Sequence, residues 1–231
     1  MIVKKLGVLG GMGPAASAEF MTRLTAHTVA SCDQDHIPTI LWSDPRVPDR
    51  SSSIRNGDNL PLPWLEHGVR GLQSAGCTHI VMPCNTAHFW YNDLVKLGTP
   101  ITHIVDSVAD ELRRIEVINT RIGILGTQAT VEMGLYTNHL DALGWQCIGA
   151  SRHYMDNFVQ PAIKLIKSNN IDSAHELLMY AINDLINSGV DAIVLGCTEI
   201  PLAVTQQSER NIPLINSIDS LVKSTISWYN S

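Results

Sequence analysis

Two cysteines, Cys84 and Cys197, occupy equivalent places in two similar stretches of the chain. The stretches are residues 80–88 (IVMPCNTAH) and residues 193–201 (IVLGCTEIP). Each is a short apolar run typical of a buried parallel strand, and each ends in a cysteine followed by residues that can begin a helix. A thiol exchanges its proton near neutral pH when its pKa falls modestly below the reference value of about 8.5. The pattern therefore places two proton-transfer groups at the ends of two related strands.

The similarity extends beyond the cysteines and indicates an internal repeat. Gly76 and Gly189 precede the two stretches and are separated by 113 positions, as are the two cysteines. An earlier pair, residues 5–10 (KLGVLG) and 121–126 (RIGILG), is offset by 116 positions. Strands alternate with helices in both halves, which predicts parallel sheets with the ligand at the carboxyl ends of the strands. We expect an α/β protein of two similar domains, each a parallel sheet flanked by helices, related by a pseudo-two-fold axis with the active site in the cleft between them.

The first domain is expected to span residues 1–105, completed by 216–231, and the second to span residues 106–215. The predicted strands are the two that end at the cysteines and residues 4–9, 38–42, 101–104, 121–126, 146–149 and 212–215. The predicted helices are residues 15–30, 60–75, 86–96, 128–143, 156–168, 171–188 and 217–229, with one more after Asp106.

Composition narrows the class of protein. The chain has 231 residues, a net charge of −6 and 45% hydrophobic residues, which is ordinary for a packed α/β protein. The negative charge argues against nucleic acid as a partner, because phosphate binding normally needs a basic face. No apolar run is long enough for a membrane helix, so we expect a cytoplasmic protein. The five cysteines lack metal-ligand spacing and form an odd set, which predicts reduced thiols without a structural zinc or a disulfide framework.

The first strand leads into a glycine turn, residues 10–14 (GGMGP). Gly11, Gly13 and Ala16 satisfy a loose GxGxxA pattern for dinucleotide binding. Against that interpretation, Pro14 removes a backbone donor and we expect no acidic residue at the end of a clear second strand. We expect the turn to leave backbone N–H groups free, which would suit a small carboxylate instead, and a tight turn without a ligand is the simpler alternative.

A stiff, proline-containing loop at residues 43–51 offers an arginine that matches a carboxylate bidentately. The alternative is a surface arginine paired with Asp44 or Asp49. Residues 126–130 (GTQAT) again suit a carboxylate, although a threonine that simply caps the helix explains them equally well. Lys164 and Lys167 lie on a predicted helix, where a solvated face is the simplest interpretation.

Two thiols facing one cleft suit the inversion of a carbon stereocentre by proton transfer. The reaction needs a base on one face and an acid on the other, with the roles exchanged in the reverse direction. His88 either orients Cys84 or is a satisfied core histidine, and Glu199 either holds a substrate ammonium or caps its helix. The three other cysteines are interpreted as core residues.

With these motifs in view, the chain resembles the aspartate/glutamate racemase superfamily, and most of all its cofactor-independent aspartate racemases. The motifs cover nearly the whole chain: residues 10–14 (GGMGP), 48–50 (PDR), 82–88 (MPCNTAH), 126–127 (GT) with Thr130, and 196–201 (GCTEIP). Ser51 departs from the threonine that often follows the arginine in similar proteins. Ser168 and Asn169 replace the small residue and glycine that usually follow the lysine.

The resemblance implies a dimeric enzyme that acts on a dicarboxylic amino acid without pyridoxal phosphate, other cofactor or metal. Cys84 and Cys197 would be the catalytic acid and base, and Arg50 with Lys167 would bind the side-chain carboxylate. The remaining residues expected to bind substrate are Met12, Asn85, Thr86, Thr127, Thr198 and Glu199. No nucleic acid or membrane partner is expected.

Several alternatives to an aspartate racemase stay open. The substrate could be glutamate, or specificity could be broader, because one methylene changes binding by only about 1–3 kcal/mol. A maleate isomerase or decarboxylase of the same superfamily would use one cysteine as nucleophile or proton donor. A non-catalytic dicarboxylate sensor and an NAD-dependent oxidoreductase are more distant possibilities.

Overall fold

A computed structural model of the protein describes residues 4–117, 120–204 and 212–231. The chain divides into two compact units. The first unit comprises residues 1–107 and 218–231, and the second comprises residues 108–217. Each contains a parallel sheet flanked by helices, which confirms the predicted α/β class.

The first unit is built on a three-stranded sheet of order β2-β1-β3. Its elements are β1 (Leu6–Gly10), α1 (Pro14–His27), β2 (Thr39–Ser43), α2 (Arg50–Asn56), α3 (Pro61–Ser74), β3 (His79–Val81), α4 (Tyr91–Val95) and the start of α5 (Ile104–Arg114). Short 3₁₀ helices cover Asp33–Asp35 and Thr86–Trp90. The expected strand at 101–104 is a single parallel bridge between Ile80 and Ile101, because the chain already enters α5 at Ile104.

The second unit is built on a four-stranded parallel sheet of order β5-β4-β6-β7. Its elements are β4 (Arg121–Gly126), α6 (Gln128–Glu132), α7 (Thr137–Asp141), β5 (Gln146–Gly149), α8 (Arg152–Tyr154), α9 (Gln160–Lys167), α10 (Ile171–Asn187), β6 (Ala192–Gly196), α11 (Ile200–Ala203), β7 (Leu214–Asn216) and the first residue of α12 (Ser217–Asn230). A π-helical turn, Met155–Val159, joins α8 to α9.

Strand register confirms the internal repeat. Gly7 of β1 lies opposite Ile80 of β3, and Gly123 of β4 lies opposite Ile193 of β6. These are the residues that the 116- and 113-position offsets make equivalent. The strand order corresponds as well, since β2-β1-β3 matches β5-β4-β6. The two cysteines therefore follow equivalent strands of two similar sheets.

Gly76 and Gly189 do the same task in the two halves. They follow α3 and α10 and have φ angles of 79° and 76°, in the left-handed region that glycine adopts without steric cost. Each ends its helix and turns the chain into the strand that leads to a cysteine. The glycines thus help to set where both thiols emerge.

Each sheet is buried under its own helices. In the first unit the core packs α3 residues such as Leu65 and Leu72 with Leu9 and Ile80, and in the second unit α10 residues such as Leu178 pack with the second sheet. Cys84 belongs to the first cluster and Cys197 to the second. Each cysteine therefore packs against the close-packed hydrophobic core of its own unit.

Two predicted helices are interrupted. The helix expected at 128–143 is α6 and α7, separated at Gly134, whose φ of 68° is incompatible with a continuing right-handed helix. The helix expected at 86–96 is a 3₁₀ helix followed by α4.

Candidate functional site

Cys84 lies just beyond the carboxyl end of β3 in a tight turn. Its N–H donates to the carbonyl of Met82 at 2.8 Å, and its side chain is buried. Asn85 and Thr86 follow and are also buried polar residues. Burial of three consecutive polar or reactive side chains at a strand end costs free energy unless they have partners, so this turn belongs to the protein interior rather than to a loop surface.

His88 holds the backbone of this turn. Its Nδ1 bonds to the carbonyl of Cys84 at 2.9 Å, and its Nε2 accepts from the N–H of Ile104 at 3.2 Å. The proton must therefore lie on Nδ1. Burial, with the nearby His103, lowers the pKa of His88 to about 3, so the ring is neutral at physiological pH. Of the two interpretations of His88, it is a satisfied core histidine, and it fixes the Cys84 carbonyl through the backbone.

The glycine turn after β1 is closed by Ser17. The N–H of Gly11 donates to the Ser17 hydroxyl at 2.9 Å, and that hydroxyl donates to the carbonyl of Gly13. The expectation that this turn leaves its N–H groups free is therefore wrong at Gly11. A side chain is also excluded at Gly11, since its φ is 90° and a Cβ would lie 2.4 Å from the Asp44 backbone nitrogen.

An acidic residue, Asp44, does follow the second strand of the sheet, contrary to the sequence-based expectation. Arg46 binds both of its carboxylate oxygens, at 2.9 and 2.8 Å, and lowers the pKa of Asp44 to about 2. The carboxylate already has a bidentate partner. The alternative role for an arginine in this loop, a surface residue paired with Asp44, belongs to Arg46.

Arg50 has a different environment from Arg46. It begins α2 and is partly buried, and its Nη1 donates to the carbonyls of Val47 and Pro48, both at 3.0 Å. Its Nη2 donates to the carbonyl of Met12 at 3.3 Å, which ties it to the glycine turn. Its buried Nε has no hydrogen-bond partner among the described residues. Three backbone carbonyls thus hold the guanidinium in place, and its Nε–H is left without an acceptor among the described residues.

Cys197 follows β6 directly, and its thiol has a carboxylate partner. Sγ donates to Oε2 of Glu199 at 3.1 Å, and the Thr198 hydroxyl lies 3.4 Å from the same oxygen. Cys197 is 3% exposed and Glu199 is 6% exposed. Burial raises the pKa of Cys197 well above its usual range and the Glu199 carboxylate raises it further, while the backbone N–H of Glu199 and, less strongly, the charge of Lys167 lower it. Cys197 is therefore a thiol at neutral pH.

Tyr136, which no sequence motif indicates, lies behind the Cys197 turn. A Cβ on Gly196 would come within 2.8 Å of Cε2 of the Tyr136 ring, so the ring packs on the residue before the cysteine. Tyr136 is buried, which raises its pKa, and it bonds to Ser217, whose hydroxyl donates to the carbonyl of Leu195. The break in the helix at Gly134 was the signal that residues 135–136 turn inward.

Thr127 and Lys167 complete the predicted residues of the second unit. Thr127 caps α6, with its hydroxyl 3.1 Å from the Thr130 N–H, so of its two interpretations the N-cap is the one observed. Lys167 ends α9 and is exposed, yet its charge acts on Cys197. Asn169, where similar proteins usually have glycine, has a φ of 61°, a conformation that asparagine tolerates better than most residues.

The predicted site residues thus fall into two groups, one in each unit. The first group lies around the ends of β1 and β3 and consists of Met12, Arg50, Cys84, Asn85 and Thr86. The second group consists of Thr127, Lys167, Cys197, Thr198 and Glu199. None of the helices in the described ranges has the length and apolar character needed to cross a membrane.

Comparison with known proteins identifies relatives along nearly the whole chain. A family model described as Asp/Glu/hydantoin racemase matches residues 9–225. The broad specificity amino-acid racemase RacX of Bacillus subtilis (strain 168) is 28% identical over 229 residues, which covers 97% of each chain. The solved structure of the Picrophilus torridus aspartate racemase is 32% identical, with a TM-score of 0.87 over 98% of this chain and 94% of that one. A glutamate racemase of Desulforudis audaxviator (strain MP104C) is 26% identical over 61% of this chain and 50% of its own length.

Proposed function

This protein belongs to the Asp/Glu/hydantoin racemase family and is an amino-acid racemase, and we propose that it interconverts L- and D-aspartate by moving the Cα proton between Cys84 and Cys197. The observation that carries the proposal is the recurrence of one buried thiol after equivalent strands of the two sheets. A reaction that runs in both directions needs one proton-transfer group on each face of the substrate, and the duplicated unit supplies two.

In one direction Cys84, as a thiolate, removes the Cα proton and the Cys197 thiol delivers a proton to the opposite face. In the other direction the roles exchange. The hydrogen bond from Cys197 to Glu199 supports the donor role of Cys197, because it keeps the proton on sulfur until the substrate carbanion forms.

The Cα proton of an amino acid is weakly acidic, so the site must stabilise the negative charge that develops when it leaves. Arg50 suits this task because three carbonyls hold its guanidinium in place before the substrate arrives. Its buried Nε–H has no partner among the described residues, which suits a substrate carboxylate. We assign Lys167 to the same anion from the second unit. Two thiols and two cations provide the required groups without a cofactor or metal.

Aspartate is the proposed substrate for two reasons. A short amino acid with a second carboxylate fits the pair of cations Arg50 and Lys167. The Picrophilus torridus aspartate racemase is 32% identical over nearly the whole chain. A second candidate, broad-specificity racemisation, is favoured by the match to RacX, which also spans nearly all of both chains.

The test is proton NMR in heavy water on protein treated with chelator and freed of small molecules. L-aspartate, L-glutamate and a panel of neutral amino acids are offered separately, with chiral analysis of the products. The proposal predicts loss of the Cα–H signal and formation of D-aspartate at a rate well above those of the other substrates. Comparable rates across the panel would establish the broad-specificity candidate, and binding of aspartate without Cα–H exchange would contradict racemisation.

A further inference from the structure

Glu199 lies inside the protein and contacts the thiol of Cys197. Glu199 is 6% exposed, and its carboxylate accepts from Sγ of Cys197 at 3.1 Å and makes no side-chain capping bond to α11. Neither sequence-based role for Glu199, a helix cap or a ligand of the substrate ammonium, describes this contact. We propose that Glu199 is the proton partner of Cys197, which holds the thiol proton at rest and accepts it when Cys197 acts as the base; the inference rests on the proposed racemase function.

Among the described residues, charged and titratable groups act on Cys197 or pack beside it from three parts of the second unit. Glu199 faces the thiol from its own turn, Lys167 acts from the end of α9, and Tyr136 packs against the preceding glycine. Lys167 is exposed, so solvent screens its charge, whereas Glu199 is buried and in direct contact. The buried Glu199 carboxylate therefore influences the protonation of the Cys197 thiol more strongly than Lys167 does.

The proton transfer balances within the pair. When Cys197 is to act as base, the S–H proton moves to Oε2 of Glu199, which leaves a thiolate and a neutral carboxylic acid. The thiolate then takes the substrate Cα proton, and Cys84 supplies a proton to the opposite face. Solvent removes the proton from Glu199 and reprotonates Cys84 after the product leaves, which restores the resting state. Without an internal acceptor, a buried thiol must lose its proton directly to water.

The first unit has no such acceptor at the equivalent position. The residue two places after Cys84 is Thr86, whereas the residue two places after Cys197 is Glu199. A hydroxyl does not accept a thiol proton at neutral pH. Loss of Glu199 should therefore impair proton abstraction by Cys197 and leave abstraction by Cys84 almost unchanged. A proton partner of Cys197 affects abstraction by Cys197 alone. A residue that binds substrate would instead affect abstraction by both cysteines.

The first test needs no substrate. The infrared S–H stretching band of Cys197 is identified as the band lost on Cys197→Ser, and Glu199→Gln should move it to higher frequency because a neutral amide accepts a weaker hydrogen bond than a carboxylate. Glu176→Gln removes a similar charge from an exposed site on α10 of the same unit and should leave the band in place. Absence of a Cys197 S–H band in the resting protein, or an unshifted band in Glu199→Gln, would overturn the inference whether or not the protein racemises aspartate.

The second test measures Cα–H exchange of L- and D-aspartate with heavy water in variants that keep one of the two thiols. Adding Glu199→Gln to Cys84→Ser should slow exchange at least about tenfold, while adding it to Cys197→Ser should change exchange less than about twofold. Equal losses in both backgrounds would assign Glu199 to substrate binding, and faster exchange in Cys84→Ser would show that the carboxylate only opposes the thiolate. Either result, or an active wild type whose Cys84→Ser variant exchanges neither enantiomer, contradicts the proton-partner role. A wild type that neither racemises nor exchanges aspartate would instead refute the proposed function.

Discussion

The two cysteine turns follow equivalent strands but differ in what surrounds the thiol. After Cys84 the chain continues Asn-Thr-Ala-His, and the histidine bonds to the Cys84 backbone carbonyl. After Cys197 it continues Thr-Glu-Ile-Pro, and the glutamate bonds to the thiol itself. His88 thus contacts the main chain of the first turn, whereas Glu199 contacts the reactive atom of the second. A duplicated scaffold therefore sets where two groups lie, while the residues after each strand set their protonation.

The cations of the two units differ in the same way. Arg50 is partly buried and held by three backbone carbonyls, whereas Lys167 is exposed at the end of a helix. A fixed, partly desolvated guanidinium interacts more strongly with a carboxylate than an exposed ammonium that salt screens. The first unit should thus provide most of the anion binding, and the second unit the tuned thiol.

The largest predicted effect is loss of either thiol. Cys84→Ser and Cys197→Ser should each lower the rate of racemisation at least about 10³-fold in both directions, because serine neither gives nor takes a proton near neutral pH. Chiral chromatography of reactions started from each enantiomer measures the rates. Cys32→Ser is the matched control and should behave as the wild type, because Cys32 is exposed and the core position expected for it from the sequence was wrong. A single Cys84 or Cys197 variant with more than a tenth of the wild-type rate would show that one thiol suffices.

The next effect is at Arg50. Arg50→Met should lower kcat/KM for aspartate by about 10- to 100-fold, since hydrogen bonds to charged groups contribute about 1.5–3 kcal/mol. Steady-state kinetics measure this change. Arg46→Met is the control, because Arg46 is exposed and pairs with Asp44. Equal losses in the two variants would mean that the loop, rather than the Arg50 guanidinium, is what the substrate needs.

His88 makes the first unit sensitive to acid, whereas the equivalent residue of the second unit is Pro201. The pKa of His88 is about 3 in the folded protein against an ordinary value of 6.5. The unfolded chain therefore binds a proton first as pH falls below 6.5, and the stability that the neutral ring contributes is lost progressively between pH 6.5 and 3. Between pH 7 and pH 5 this contribution should lower the free energy of unfolding by about 2 kcal/mol.

Urea unfolding at the two pH values measures the loss. His88→Gln has no titrating ring and should show a smaller drop between pH 7 and pH 5, whatever its stability at pH 7. Parallel losses in the wild type and the variant would mean that His88 is not the residue responsible.

The smallest predicted effect is at Lys167. Lys167→Met should lower kcat/KM for aspartate only about two- to fivefold, as expected for an exposed charge worth less than about 1 kcal/mol. The deficit relative to the wild type should shrink in high salt, because salt already weakens the wild-type interaction. A loss as large as that of Arg50→Met would show that Lys167 is enclosed when substrate binds.

Much of the fold could be predicted, because the repeat indicates two similar units and the apolar runs indicate their buried strands. The offsets of 116 and 113 positions make Gly7 equivalent to Gly123 and Ile80 equivalent to Ile193, and the observed registers, Gly7 opposite Ile80 and Gly123 opposite Ile193, agree with that equivalence. Helix ends were predictable where a glycine such as Gly76 or Gly189 must adopt a positive φ. The strand expected at 101–104 is shortened to a parallel bridge at Ile101, because an apolar run of this length suits a strand or the start of a buried helix equally well.

The partners of the site residues were harder to predict, because they depend on where side chains point. The pairing of Glu199 with Cys197, of Ser17 with Gly11 and of Tyr136 with Gly196 leaves no periodic trace in the sequence. The acidic residue after the second strand, Asp44, was not expected for a related reason. The end of that strand at Ser43 is defined by its pairing in the sheet. Residue types at strand ends indicate where a candidate site lies. Three-dimensional contacts decide which of those residues already have a partner within the protein.

In the two-thiol mechanism that we propose, each thiol serves one face of the substrate. Its most direct test is Cα–H exchange of L- and D-aspartate in heavy water by Cys84→Ser and by Cys197→Ser, followed by NMR with chiral analysis. We expect each variant to exchange one enantiomer without inverting it, and the two variants to act on opposite enantiomers. Exchange of the same enantiomer by both variants, or racemisation by either at the wild-type rate, would contradict the two-thiol mechanism.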